Sequence, residues 1–85
     1  MRASFDPQAL EDLTYWIGTR PRNALRILDL IAAVMRDPFG GVGKPESLKH
    51  KYRGCWSRRI DHEHRLIYKV DGDHIIILAA RYHYD

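Results

Sequence analysis

Glu46 is the only carboxylate in a stretch that also carries Lys44, Lys49, His50, Lys51 and Arg53, and a second polar string, Arg81-Tyr82-His83-Tyr84, lies near the C-terminal end. Cations around a carboxylate favour its ionised form, which makes Glu46 a candidate proton acceptor. Histidine is the side chain most easily held as an acid near neutral pH, which makes His83 a candidate donor. Cleavage of an RNA phosphodiester by its own 2′-hydroxyl needs a base for that hydroxyl, cations for the charge on phosphorus and an acid for the leaving 5′-oxygen. Glu46, Arg65 and His83 supply these three types. The plain alternatives are a surface ion pair for Glu46 and a polar strand end for the terminal string.

Other chemistries fit less well. Gly40, Gly41, Gly43 and Lys44 have the composition of a phosphate-binding loop. That loop, however, needs glycine four residues before its Gly-Lys and a hydroxyl residue afterwards, where this chain has Pro38 and Pro45. The five histidines show no zinc-ligand spacing, so neither a metal nor another cofactor is expected. Cys55, the single cysteine, reads as a small hydrophobe and fits a reducing, cytoplasmic setting.

These groups must be carried by one small unit, residues 1–85, whose 45% apolar and 29% charged composition is that of a folded globular domain. So small a domain holds one core and no deep cavity, which makes a surface groove the expected site. The longest apolar run, 75–80, is far short of the roughly 20 residues that cross a bilayer, so no membrane partner is expected. Charge is uneven: residues 44–69 hold eight basic and three acidic residues, whereas residues 1–43 are balanced at five each. Tyr52, Trp56 and Tyr68 are interleaved with those cations, a composition suited to phosphate pairing and base stacking, and RNA is the leading polyanion partner.

Local patterns predict the scaffold. Residues 2–5 suit a short edge strand. Asp6-Pro7 is a helix start, with Phe5 and Leu10 placed for a hydrophobic staple. A helix over 7–17 directs Leu10, Leu13, Trp16 and Ile17 inwards and stops at Gly18. A second helix from Pro21 to Asp37 carries an apolar stripe of Ala24, Ile27, Leu28, Ile31, Val34 and Met35, making a helix hairpin. Residues 38–51 read as a loop with a short helical turn after Pro45. Strands are expected at 56–60, 65–70 and 74–84, the last two joined through Asp71-Gly72-Asp73. Alternation gives the resulting antiparallel sheet two faces. Trp56, Ile60, Leu66, Tyr68, Val70, Ile76, Leu78, Ala80 and Tyr82 meet the helices, with Arg58 an exception among them. Arg59, Arg65, Lys69, Arg81 and His83 lie opposite with Ile67, Ile77 and Ala79. A three-residue turn at 71–73 is expected, because it keeps Arg65 and His83 on one face.

GKPESLKH (43–50), WSRRI (56–60), HRLIY (64–68) and the terminal RYHY (81–84) resemble, in order and spacing, the YoeB (Txe) toxins within the RelE and ParE superfamily of bacterial toxin-antitoxin systems. The likeness spans nearly the whole chain. It implies an α+β, RelE-like fold of the microbial ribonuclease type, a helix hairpin on one face of a twisted antiparallel sheet. It also implies a metal-independent endoribonuclease that cuts messenger RNA at the ribosomal A site and leaves a 2′,3′-cyclic phosphate and a 5′-hydroxyl. Its implied partners are the 70S ribosome with its mRNA and a neutralising acidic, YefM-like antitoxin, with operator DNA bound by the toxin-antitoxin complex and a homodimer as further associations. By motif, Glu46 resembles the general base, Arg65 the phosphate-stabilising arginine, His83 the general acid and Tyr84 the substrate-orienting aromatic. Lys49 and Arg59 match further cationic positions, and Lys51 and Arg53 extend the RNA-binding surface. Ser47 departs from a second proline, and Asp85 places a carboxylate beyond Tyr84. The rival reading is a non-catalytic relative that blocks a protein such as DNA gyrase, for which neither Glu46 nor His83 would be required.

Overall fold

The computed structural model describes residues 1–82, folded as two helices against one face of a five-stranded sheet. In chain order the elements are β1 (Arg2–Phe5), α1 (Pro7–Thr19), α2 (Pro21–Arg36), β2 (Glu46–Ser47), β3 (Cys55–Arg59), β4 (Arg65–Asp71) and β5 (His74–Ala79), with a 3₁₀ turn at His50–Tyr52. The sheet order is β1-β5-β4-β3-β2. Neighbouring pairs are antiparallel except β1, which runs parallel to β5, so the sheet is mixed and not wholly antiparallel. A parallel neighbour needs a long crossover, and here the whole of the chain between the two strands supplies it.

The Asp6 carboxylate caps α1 by accepting the Gln8 N–H, with Pro7 in the first turn. Gly18 does not stop this helix. It lies inside α1, and the break comes at Arg20, whose backbone (φ −152°, ψ 82°) is extended as the residue before Pro21 must be. The inward stripe of α1 is Ala9, Asp12 and Trp16, while Leu10 and Ile17 are exposed, so the expected Phe5–Leu10 staple does not bury Leu10. In α2, Leu28, expected on the apolar stripe, is exposed, and Leu30 is buried on the side that the 37–43 loop covers: a Cβ on Gly43 would come within 2.8 Å of Leu30 Cδ2.

Arg58, the exception on the helix-facing side, is fully buried and holds that loop. Its guanidinium donates to the carbonyls of Val42 (3.0 Å), Gly40 (2.7 Å) and Asp37, and its Nε to the Tyr68 hydroxyl (3.1 Å). Tyr68 donates in turn to the Pro38 carbonyl at 2.7 Å. Burial pushes the Tyr68 phenol up, and the adjacent Arg58 offsets part of that rise. The loop therefore reaches Glu46 along a fixed path, closed by the Arg59 N–H donating to the Gly43 carbonyl at 2.7 Å.

The β4–β5 connection is a two-residue turn, since Asp71 pairs with His74, and Gly72 supplies the positive φ of 63° that so tight a hairpin favours. The expected three-residue turn is thus incorrect, and Ile75 and Ile77, not Ile76 and Leu78, enter the core against the helices. A β-bulge then shifts the register: Tyr68 pairs with Ile77 but Ile67 with Ala79, leaving Leu78 as the extra residue. Beyond the bulge odd residues again oppose odd ones, and the Arg65 N–H donates to the Tyr82 carbonyl at 2.9 Å. β5 ends at Ala79, short of the strand expected to 84.

Candidate functional site

The face away from the helices carries a small apolar floor of Leu48, Ile67 and Ala79, with Tyr52, Cys55 and Leu78 packed around it. Glu46 shares this face with Leu48, two residues on in the same chain direction. β2 and β3 are paired so that Glu46 lies opposite Ser57, which itself lies opposite Ile67. The region expected to be a loop therefore contains a two-residue strand, and the short helical turn expected after Pro45 lies at His50–Tyr52. Lys44 (φ 53°) and Gly43 (φ 88°) bend the chain into this strand, and His50 (φ 57°) bends it out again. Left-handed backbone at two bulky residues is uncommon, and such conformations are held by their surroundings at about 1–3 kcal/mol each. Residues 46–50 line a surface groove of about 260 Å³.

Arg59 lies directly opposite Arg65 on the adjacent strand. Directly opposed side chains on one face are about 5 Å apart at Cβ, and the diagonal from Glu46 to Arg59 spans about 7–8 Å. Among the described residues Arg20 pairs with Asp61 and His64 Nε2 lies 3.8 Å from Glu63 Oε1, so Glu46, Arg59 and Arg65 meet no partner of opposite charge there. Like charges directly opposed on a sheet are unfavourable, and an anion bridging them would remove the penalty. Arg65 Nη1 makes one long hydrogen bond, 3.4 Å, to the Asp61 carbonyl. Lys49, Lys51 and Arg53 are exposed along the turn beside Glu46, with Lys51 Nζ 5.3 Å from the Tyr52 ring centroid.

The sheet thus brings Glu46, Arg59 and Arg65 onto one face and sets Lys49, Lys51 and Arg53 at its edge. His83, Tyr84 and Asp85 lie outside the described residues. Arg81 departs from the expected open face: its guanidinium stacks 3.5 Å from the Tyr15 ring of α1 and 4.8 Å from that of Tyr82.

The approach to the terminal residues is held by contacts that the sequence reading did not foresee. Asp12 Oδ2 accepts the Ala80 N–H at 2.9 Å, and Trp16 Nε1 donates to the Ala80 carbonyl at 2.7 Å. These two side chains lie four residues apart on the buried stripe of α1, and a carboxylate on such a stripe was the available signal. His64 Nδ1 accepts the Tyr82 N–H at 2.8 Å. The turn before Arg65 is organised by Asp61, whose Oδ1 accepts the N–H groups of Glu63 (2.8 Å) and His64 (2.7 Å) and whose Oδ2 accepts from the Asn23 amide (3.1 Å). Partial burial opposes the charge on Asp61, but these hydrogen bonds and the nearby His64 outweigh it and hold the carboxyl below its ordinary range.

Residues 5–84 match the model of the YoeB-like toxins of bacterial type II toxin-antitoxin systems. The toxin RelK of Mycobacterium tuberculosis is 51% identical over 81 residues, 95% of each chain. Among solved structures, a YoeB/ParE toxin from Agrobacterium tumefaciens superposes with a TM-score of 0.93 at 40% identity, covering 99% of this chain and 100% of that one. YoeB of Staphylococcus aureus, solved in complex with YefM, gives 0.87 at 43% identity over 96% of this chain and 95% of that one. Its dimer gives 0.90 at 42% identity over 99% and 98%.

Proposed function

This chain belongs to the YoeB-like toxins of bacterial type II toxin-antitoxin systems, and from that premise we propose that it is a ribosome-dependent endoribonuclease acting on messenger RNA in the cytoplasm, with residues 1–85 as one toxin domain. Glu46 takes the proton of the 2′-hydroxyl, and the oxygen attacks the adjacent phosphorus. Arg65, with Arg59 opposite it, stabilises the charge that builds on the phosphoryl oxygens. His83 gives a proton to the departing 5′-oxygen, and Tyr84 orients the substrate. The products are a 2′,3′-cyclic phosphate and a 5′-hydroxyl. Lys49, Lys51 and Arg53 hold the backbone of the strand. No step calls for a metal.

The observation that carries this reading is the Arg59–Arg65 pair, which meets no opposite charge among the described residues, on the same open face as Glu46, the one carboxylate of residues 44–53. An inhibitor acting through binding alone would have no use for a base beside a phosphate site. The groove is shallow, and the ribosome would supply substrate placement by holding the messenger strand against it.

The S. aureus relative is solved with YefM and as a dimer. We accordingly propose a YefM-like acidic antitoxin as the neutralising partner, self-association of the free chain, and a secondary role on operator DNA within the toxin-antitoxin complex.

The test is a defined translation reaction in which the cut is mapped and the new ends are identified. Cyclic phosphate and 5′-hydroxyl ends in the A-site codon are expected. Glu46→Gln and His83→Ala should each slow cleavage by about 10²–10⁴-fold without loss of the fold. A 3′-hydroxyl end, or full activity in either variant, overturns the mechanism.

A further inference from the structure

We infer that His64 is a positioning residue that locks the chain immediately before His83 onto the phosphate-binding strand; this deepens the cleavage reading and rests on it. Tyr82 has φ 70°, a left-handed backbone that a tyrosine keeps only where its surroundings impose it. Two neighbouring residues of β4 and its approach impose it. The Tyr82 N–H donates to His64 Nδ1 at 2.8 Å, and the Tyr82 carbonyl accepts the Arg65 N–H at 2.9 Å.

His64 is itself immobilised. Its ring stands edge-on to Trp16, centroids 4.8 Å apart, and its side chain is 12% exposed. Its N–H donates to Asp61 Oδ1 at 2.7 Å, and its carbonyl accepts the Ile60 N–H at 3.0 Å. To accept at Nδ1 the ring must carry its proton on Nε2, the nitrogen 3.8 Å from Glu63 Oε1. His64 and its neighbour Arg65 thus hold Tyr82, the last described residue before the proposed acid, against the strand of the arginine proposed to bind the phosphate. A displacement of about 1 Å in such a constellation can cost 100-fold in rate.

The experiment compares wild type, His64→Ala, His64→Asn and His64→Gln in the translation reaction, separating the cleavage rate constant from the half-saturating concentration of programmed ribosomes. Asparagine sets its Oδ1 where Nδ1 stands and can accept the Tyr82 N–H, whereas glutamine carries its amide out towards Nε2. The expected result is a rate constant lowered about 10- to 100-fold in His64→Ala and His64→Gln, with half-saturation unchanged and most of the rate restored in His64→Asn. Amide exchange at Tyr82, measured by NMR on the same variants, should quicken in Ala and Gln and stay slow in Asn. Active wild type with equal rates in all three variants, or Asn no better than Gln, overturns the role of His64. Inactive wild type overturns the cleavage reading itself, a separate and recognisable failure. Should His64→Ala fail to fold, the Asn–Gln contrast alone decides.

Discussion

Arg58 and Arg59 are adjacent in sequence and have opposite fates. Arg58 points into the helix-facing side, has no exposed surface and spends its donors on three loop carbonyls and the Tyr68 hydroxyl. Arg59 points to the open face, is exposed, and sits across from another arginine. A buried cation is tolerated only when its donors are satisfied, and one that is satisfied becomes part of the scaffold. An exposed cation facing a like charge does nothing for the scaffold and is free to meet a phosphate. Alternation along a single strand is enough to separate the structural arginine from the functional one.

Substitutions can break this contrast. The largest effect is expected from Arg58→Ala, which strands several buried or half-buried acceptors and leaves a cavity. A loss of at least about 3 kcal/mol in urea unfolding should follow, and with it the loss of the loop that delivers Glu46. Arg58→Lys should recover only part, because one ammonium cannot serve a fork of acceptors. An Arg58→Ala protein as stable as wild type would refute the structural assignment.

A smaller effect is expected at Asp61, which ties the β3–β4 turn to α2. Asp61→Asn keeps the shape but weakens charge-assisted hydrogen bonds, for an expected loss of about 1 kcal/mol at pH 7. Because folding holds this carboxyl below its ordinary value, its contribution is present above the unfolded value of about 4 and fades as pH falls through the lower folded one. The stability gap between the two proteins should therefore close in acid below about pH 4. Parallel acid-unfolding curves would contradict this account.

The smallest stability change belongs to Arg59→Ala, within about 0.5 kcal/mol and towards greater stability, since it relieves the facing arginines. Its signature lies elsewhere: the salt dependence of RNA binding should fall by about one unit of log–log slope. A loss above about 1 kcal/mol in stability would mean that Arg59, like Arg58, serves the scaffold.

Much of this was legible beforehand. Proline and the Asp6 cap marked the helix starts, period-two patterning marked the strands, and Arg58 stood out as a charge on an apolar face. Gly18 misled because a glycine in an exposed helical turn costs only about 1 kcal/mol, less than a continuous helix returns through packing. The Glu46–Ser47 strand was invisible because two residues show no period; its partner, not its composition, makes it a strand. The backbone contacts of Asp12, Trp16 and His64 were overlooked because each acts on a residue 18 to 68 positions away, and such a contact leaves no local pattern.

The sequence by itself determined which residues alternate on each strand, where the helices begin, and that residues 44–53 concentrate cations around a single carboxylate, since all of these follow from local backbone geometry and charge. The tertiary structure alone decided which faces align across strands. The two-residue turn at Gly72-Asp73 offsets β5 by one residue and the bulge at Leu78 restores it, so that Ile75 and Ile77 fill the core while Arg65 still meets Tyr82. Register is a sum over turn, bulge and long-range packing, and no stretch of the chain carries that sum on its own.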